Sequence, residues 1–132
     1  TAEELVVYVM EKTTIGESGT YLKILYEKNH LSVSDLPKKG FPSQFGEIVI
    51  TTSKPDPKRK ALPRTIAGEA LRNHSFLFLV GLGHKGLPKE LFERGKYHLD
   101  ITGKGLSLET CTAIGAIPAN ISGLMENLEI KK

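Results

Sequence analysis

A mostly parallel α/β sheet with helices on both faces is the fold class this sequence predicts. Three observations predict it. Strand-like apolar runs alternate with stretches of helical spacing along the chain. The run FLFLV at residues 76–80 is continuously apolar, as strands buried on both faces of a parallel sheet are. Glycine-rich turns follow two of the expected strands, at residues 81–86 and 103–105, where ligand-binding loops of such sheets lie. At 132 residues the chain has enough surface to bury one core and no more, so a single domain over residues 1–132 is expected.

Each element has a local reason. ELVVYVM, residues 4–10, is rich in β-branched side chains and predicts the first strand. After the loop TTIGES, a helix from Gly19 to Asn29 places Leu22, Leu25 and Tyr26 on one face. Residues 31–46 are irregular, broken twice by Pro and Gly. EIVITTS, residues 47–53, is the second clear strand, and a short helix from Pro63 to Arg72 precedes FLFLV. Pro88 suits the first position of a helix, where its missing N–H is no loss, and PKELFERG then runs to Gly95. YHLDI, from residue 97, is the next strand, and SLETCTAIGAI, from Ser107, begins the last helix. Pro118 lies inside that helix, where proline costs about 3 kcal/mol. The helix therefore either kinks there or ends and restarts in ANISGLMENL.

Composition narrows the function classes. Hydrophobic residues at 39% and charged residues at 25% describe a soluble globular chain. No run approaches the roughly 18 apolar residues of a membrane span, and the acidic start TAEEL has no secretory character, so a cytoplasmic location is expected. Cys111 has no second cysteine to pair with and is expected to be a small buried residue of the last helix. His30, His74 and His98 are scattered without ligand spacing, so no metal site is expected. Ser/His/Asp and Cys/His arrangements cannot be placed in one pocket, and Gly103-Lys104-Gly105 lacks the Lys-Ser or Lys-Thr of a P-loop.

The two glycine turns point to a small-molecule pocket, because glycine lets backbone approach a ligand that a Cβ would repel. Gly81-x-Gly83-x-x-Gly86 fits the dinucleotide fingerprint literally, and Asp100 stands nineteen residues after Gly81, about where a ribose-binding acid belongs. Pro88 opposes that reading, since the fingerprint's helix opens within the glycine motif and would place the proline inside it. Only 32 residues follow Asp100, too few for the remaining units of a dinucleotide-binding domain.

Taken together, the turn GLGHKGLP, the strand YHLDI and the segment ITGKGLSLETCTAIGAI resemble the C-terminal half of the SPOUT methyltransferases, the α/β trefoil-knot family. The resemblance covers roughly the last 55 residues. It rests on a first loop from Gly81 to Leu87 and on a second carrying Ile101, Gly103, Ser107, Leu108 and Ala113. This chain has His84 where many members carry an acid, and Glu109 where many carry Asn. The resemblance implies a C-terminal trefoil knot, which periodicity and composition do not reach. It further implies an S-adenosylmethionine-dependent methyltransferase that modifies RNA, either tRNA or rRNA. A protein methyltransferase of the same fold, or a non-catalytic module that binds cofactor or RNA, remains open.

Carried over position by position, the cofactor slot comprises Val80, Gly81, Leu82, Gly83 and Gly86 on one side. Ile101, Thr102, Gly103, Leu106, Ser107 and Leu108 form the other, with Thr51 and Thr52 as possible third-loop contributors. Arg64 and Glu109 are the catalytic candidates. The resemblance puts an arginine near the donor methyl, and Glu109 could act as base or anchor in the first turn of the last helix, where the dipole also favours acids.

An RNA substrate finds separate support in charge distribution. Net charge is only +3, with a pI of about 9.0, but KPDPKRKALPR carries Lys54, Lys58, Arg59, Lys60 and Arg64 against one acid. Three prolines predict an exposed, semi-extended loop there, able to neutralise phosphates. The resemblance also implies a homodimer in which one subunit completes the other's acceptor site. Independently, Leu108, Cys111, Ala113, Ile114, Ala116, Ile117, Ile121 and Leu124 are too many for one apolar stripe, so a second face of the last helix is expected to meet a partner.

Overall fold

The computed structural model describes residue 4, residues 18–81 and residues 86–130. It divides into two compact units, Thr1–Phe41 and Pro42–Lys132. The expected strand at residues 4–10 lies outside the described residues apart from Glu4, which is helical.

In the first unit, α1 spans Ser18–Glu27. It stops because Asn29 takes a left-handed conformation (φ 60°), and the amides of His30 and Leu31 turn back to the Leu25 carbonyl. Of the expected apolar face, Leu25 is half-buried and Tyr26 is exposed, while the side chain of Leu22 lies outside the description.

The second unit is an α/β layer built on four parallel strands. In chain order its elements are β1 (Glu47–Thr51), β2 (Lys60–Ala61), α2 (Pro63–Leu71), β3 (Phe76–Leu79), α3 (Lys89–Glu93), β4 (Tyr97–Leu99) and α4 (Thr110–Ile130). The strand order is β2-β4-β1-β3, with every pair parallel. Val49 is in register with Phe78, and Ile50 with His98, so alternate residues face opposite sides. On one side Val49, Ala61 and Leu99 meet Ile66 and Ala67 of α2 and Ile117 and Ile121 of α4. On the other side the ring of Phe92 in α3 packs on His98, with centroids 4.2 Å apart.

The connection from β1 to β2 is unusual because β4, formed later in the chain, lies between them. Residues 52–59 cross β4 on the α3 side and are fastened as they pass. The Thr52 amide donates to the Leu99 carbonyl (2.9 Å), and the Asp56 amide donates to His98 Nδ1 (3.1 Å). Arg59 Nη1 donates to the carbonyls of Glu93 (2.6 Å) and Gly95 (3.3 Å), and the His98 amide donates to the Arg59 carbonyl (2.8 Å). Because His98 Nδ1 accepts, its proton sits on Nε2, which faces the Phe92 carbonyl at 3.0 Å. The helix following β2, α2, covers the opposite face of β4 through Leu99.

Several expectations change on this evidence. FLFLV is an outer strand of the described sheet, as β2 is at the other edge, and only half-buried, while β1 and β4 are the inner ones. Apolar runs cannot tell these cases apart, because one face of β3 still packs on the core. The basic segment is not a free loop. Ala61 is buried in β2, and Pro63 and Arg64 open α2. Pro88 stands at the N-cap of α3, one position before the helix. The last helix starts at Thr110 and runs unbroken through Pro118. A single missing N–H removes one intrahelical bond, and the packing of Ala113, Ile117 and Ile121 offsets it. Cys111 is exposed, because it lies off that packed face.

His98 is 1% exposed, so both of its hydrogen bonds are shielded from water. His98→Phe keeps the ring volume but strands the Asp56 amide and the Phe92 carbonyl, and should cost about 2–5 kcal/mol of stability. Urea denaturation measures this. A loss below about 1 kcal/mol would mean that the imidazole does not anchor the crossing loop.

Candidate functional site

Parallel strands end together at one edge of a sheet, and the loops leaving them enclose a crevice. Here the C-terminal ends of β1, β3 and β4 bound a cleft of about 770 Å³, within the usual range for a ligand of nucleoside size. Three loops and the start of α4 line it. Val80, Gly81 and Gly86 come from the first glycine loop, and Ile101, Leu106, Ser107 and Leu108 from the second. Thr51 and Thr52 contribute from the end of β1, and Glu109 from the residue before α4.

The first loop closes tightly at its base. A Cβ on Gly81 would lie 2.7 Å from the Gly86 Cα and carbonyl carbon, so backbone packs on backbone and only glycine fits. Thr110 Oγ1 donates to the Gly81 carbonyl at 2.8 Å and fastens this loop to the first turn of α4. Thr51 Oγ1 likewise donates to the Leu79 carbonyl at 2.8 Å, tying β1 to β3 at the cleft floor. Leu82 and Gly83 of the expected slot, and His84, lie outside the described residues.

The second loop is shaped by Asp100, which is 5% exposed. Its Oδ2 accepts the Gly105 amide at 2.7 Å, and its Oδ1 accepts the Thr102 hydroxyl at 3.1 Å. Thr102 Oγ1 in turn accepts the amides of Lys104 (3.2 Å) and Leu106 (3.3 Å). Gly103 and Gly105 take φ of 67° and 69°, conformations that suit glycine. Thr102 and Gly103 therefore do not line the cleft, although Leu106 and Leu108, which they help to place, do. Leu106 is 61% exposed, so the loop presents apolar surface to the opening.

Of the two catalytic candidates, the structure brings one to the cleft. Glu109 is exposed at its rim, and its carbonyl accepts the Ala113 amide (2.9 Å) at the start of α4. Arg64 is exposed in the first turn of α2 and is not among the cleft-lining residues of its own chain. The expected slot lacked Phe92 and Thr110, and also Lys54, the cation among the described lining residues, and Asp100, which the sequence offered only as a phosphate-tracking charge and a ribose acid respectively. The signal for Asp100 was present in the sequence, since an acid followed two residues later by threonine and then glycine is a turn-forming pattern. Among the described residues, no three His, Cys, Asp or Glu gather as metal ligands, and no helix is long and apolar enough to cross a membrane. The one displaced ionisation among them lies at the other end of the strands: a hydrogen bond and the charge of Glu47, with Nζ to Oε1 at 3.4 Å, raise the Lys96 pKa above the ordinary lysine value.

A family model described as "Protein of unknown function (DUF531)" matches residues 1–122. The chain belongs to this family. It is also similar to "Uncharacterized protein MJ0224" of Methanocaldococcus jannaschii, with 50% identity over 110 residues, 83% of this chain and 62% of the relative. The chain thus spans less than two thirds of the length of the relative it matches. No solved structure matches.

The base of the first loop gives a direct test of the geometry. Gly81→Ala must force the Gly81 and Gly86 backbones apart and should cost about 1–3 kcal/mol, as overpacking does. Gly86→Ala has open space but φ of 66°, and should cost about 1–2 kcal/mol from backbone conformation alone. Urea midpoints report both, and amide spectra should show the Gly81 variant disturbing Thr110 as well. An unchanged Thr110 amide in Gly81→Ala would break the proposed linkage between the loop and α4.

Proposed function

We propose that this chain is an S-adenosylmethionine-dependent methyltransferase of the α/β trefoil-knot type, acting on RNA. The observation that carries the reading is the cleft itself. Two glycine-rich loops from β3 and β4, the parallel strands on either side of β1, with a helix starting at its rim, supply seven of the eleven residues expected from the SPOUT resemblance. The topology supports the knot. A chain that runs from β1 across one face of β4 to β2, and then along the other face as α2, encloses the path that β4 must later take.

The cleft fits this cofactor on its own chemistry. Val80, Ile101, Leu106 and Leu108 offer apolar surface for an adenine, and the glycine backbone of the first loop permits close approach. S-adenosylmethionine brings a methyl already activated by its sulfonium. The protein's part is to hold donor and acceptor in line and to accept a proton from a weakly nucleophilic acceptor. In this reading Glu109, exposed at the rim, accepts that proton. Arg64, away from its own cleft, serves that of a second copy in this reading.

A homodimer follows from the same reading and from α4. Ala113, Ile117 and Ile121 are buried on one side of the helix, while Ile114 is 57% exposed. Ile114 and Pro118 border an apolar groove of about 380 Å³ with Phe78, Val80 and Met125. That second face would meet its copy in the partner.

Titration calorimetry should show about one S-adenosylhomocysteine per chain, and Gly103→Val, strained at positive φ, should weaken it severely. Labelled methyl from S-adenosylmethionine should enter RNA in an extract of the source organism. Label in protein alone would move the substrate to a side chain, and NAD binding without response to the methyl donor would end the reading.

Sedimentation equilibrium should give about twice the 14.5 kDa chain mass at micromolar concentration. Ile114→Glu should be folded, monomeric and at least tenfold slower in methyl transfer, because a charge enters an apolar interface. A fully active wild-type monomer would remove the shared site.

A further inference from the structure

We propose that Asp100 is the positioning residue of the cleft's second wall, filling that loop's amide nest with the protein's own carboxylate so that the wall accepts a nucleoside and excludes phosphate. The ligand named here rests on the methyl-donor reading above; the loop geometry does not.

Successive backbone amides in alternating right- and left-handed conformations form a concave nest that binds anions. Residues 102–106 carry two left-handed glycines of the kind such nests use, Gly103 and Gly105, and sit beside the cleft. In a phosphate-binding loop those amides would point at the ligand. Here they are already engaged. The Gly103 amide donates to the Asp100 carbonyl (3.2 Å), the Gly105 amide to Asp100 Oδ2 (2.7 Å), and the Lys104 and Leu106 amides to Thr102 Oγ1. The Thr102 hydroxyl hydrogen is held by Asp100 Oδ1, so the buried acid fixes the whole turn, directly at Gly105 and through Thr102 at its neighbours.

Two consequences follow for a ligand. With its amides turned inward, the loop offers the cleft Leu106 and Leu108, surfaces for a flat apolar ring rather than for an anion. The α4 N-terminus, a second place where a phosphate could settle, carries Glu109 at the rim, whose charge opposes another negative group. Asp100 therefore occupies the position in which a dinucleotide fingerprint would place its ribose acid, yet both of its oxygens are taken by its own loop.

The test uses the full chain with Thr102→Val, Thr102→Ser, Asp100→Asn and Asp100→Leu, and with S-adenosylhomocysteine and ADP as probes. Thr102→Val keeps the shape but loses the relay, and should weaken S-adenosylhomocysteine about tenfold, equivalent to about 1.4 kcal/mol. Amide exchange at Lys104 and Leu106 should accelerate in the same variant. Thr102→Ser should restore both. Asp100→Asn has a single carbonyl oxygen and cannot accept from both the Gly105 amide and the Thr102 hydroxyl, whose Oγ1 already accepts two amides. It should therefore weaken binding about tenfold, as should Asp100→Leu. ADP should bind wild type at least about a hundredfold more weakly than S-adenosylhomocysteine. A lowered unfolding midpoint in Thr102→Val with unchanged affinity would reduce the network to a fold-stabilising one and overturn the proposal. Comparable binding of ADP would overturn it too. If wild type binds neither probe, the methyl-donor reading fails alone, and unchanged exchange at residues 104–106 in Thr102→Val would then sink the positioning role.

Discussion

Everything in the second unit depends on burying polar side chains on an inner strand without leaving them unpaired. His98, Leu99 and Asp100 are consecutive and 1%, 1% and 5% exposed, at and just beyond the end of β4. Alternation sends them to different tasks. Leu99 joins the core between α2 and α4, His98 fastens the loop that crosses the strand, and Asp100 folds the second glycine loop. A buried polar group without a partner costs several times what a hydrogen bond gains, so each acts as a condition on its neighbours. The imidazole requires the crossing loop and α3 on its two nitrogens, and the carboxylate requires the turn that shapes the cleft.

This arrangement explains what could be read in the sequence and what could not. Local rules located α1, β1, α2, β3, α3 and β4 to within about two residues, since each has its own apolar spacing and its own Pro, Gly or Asn boundary. They misjudged which strands were inner, because β3 is apolar through packing of one face, whereas β4 owes its position to long-range pairing and contains a histidine and a lysine neighbour. They also treated the basic segment as loop, since nothing local announces that Arg59 will find two carbonyls from residues 93 and 95. The cleft was legible because close backbone approach leaves a trace in composition: Gly81 is the only residue type that fits against Gly86. Thr110 was not, because its role is a partnership at a distance, and Asp100, whose turn-forming pattern was visible, could not be given its partners before the shape of that turn was known.

The last helix shows how one sequence serves two demands. Its packed face needs Ala113, Ile117 and Ile121 in a line, and a proline between them is tolerated because tertiary contacts, not the helix's own bonds, supply most of its stability. Ile114, one turn before Pro118, is exposed. Residues 114 and 117 are about 60° apart around the helix, so Ile114 falls at the edge of the packed stripe and borders, with Ile117 and Ile121, the groove that Phe78 and Val80 complete.

Charge obeys the same division between inside and outside. With a net charge of only +3, attraction for a polyanion has to come from placement rather than from total charge. Of the five cations between residues 54 and 64, Arg59 is turned inward and bound to carbonyls, which leaves Lys54, Lys58, Lys60 and Arg64 exposed. Lys54 lines the cleft, while Lys58 and Lys60 flank the fastened arginine on the crossing segment. Their spacing along the chain is fixed by the anchors at Asp56 and Arg59, so these lysines ride on a braced strap rather than a flexible loop. Bracing lowers the ordering cost of any contact they make, because the backbone that carries them is already held in place by β4. The interaction that builds the fold thereby also sets the geometry of its charged surface.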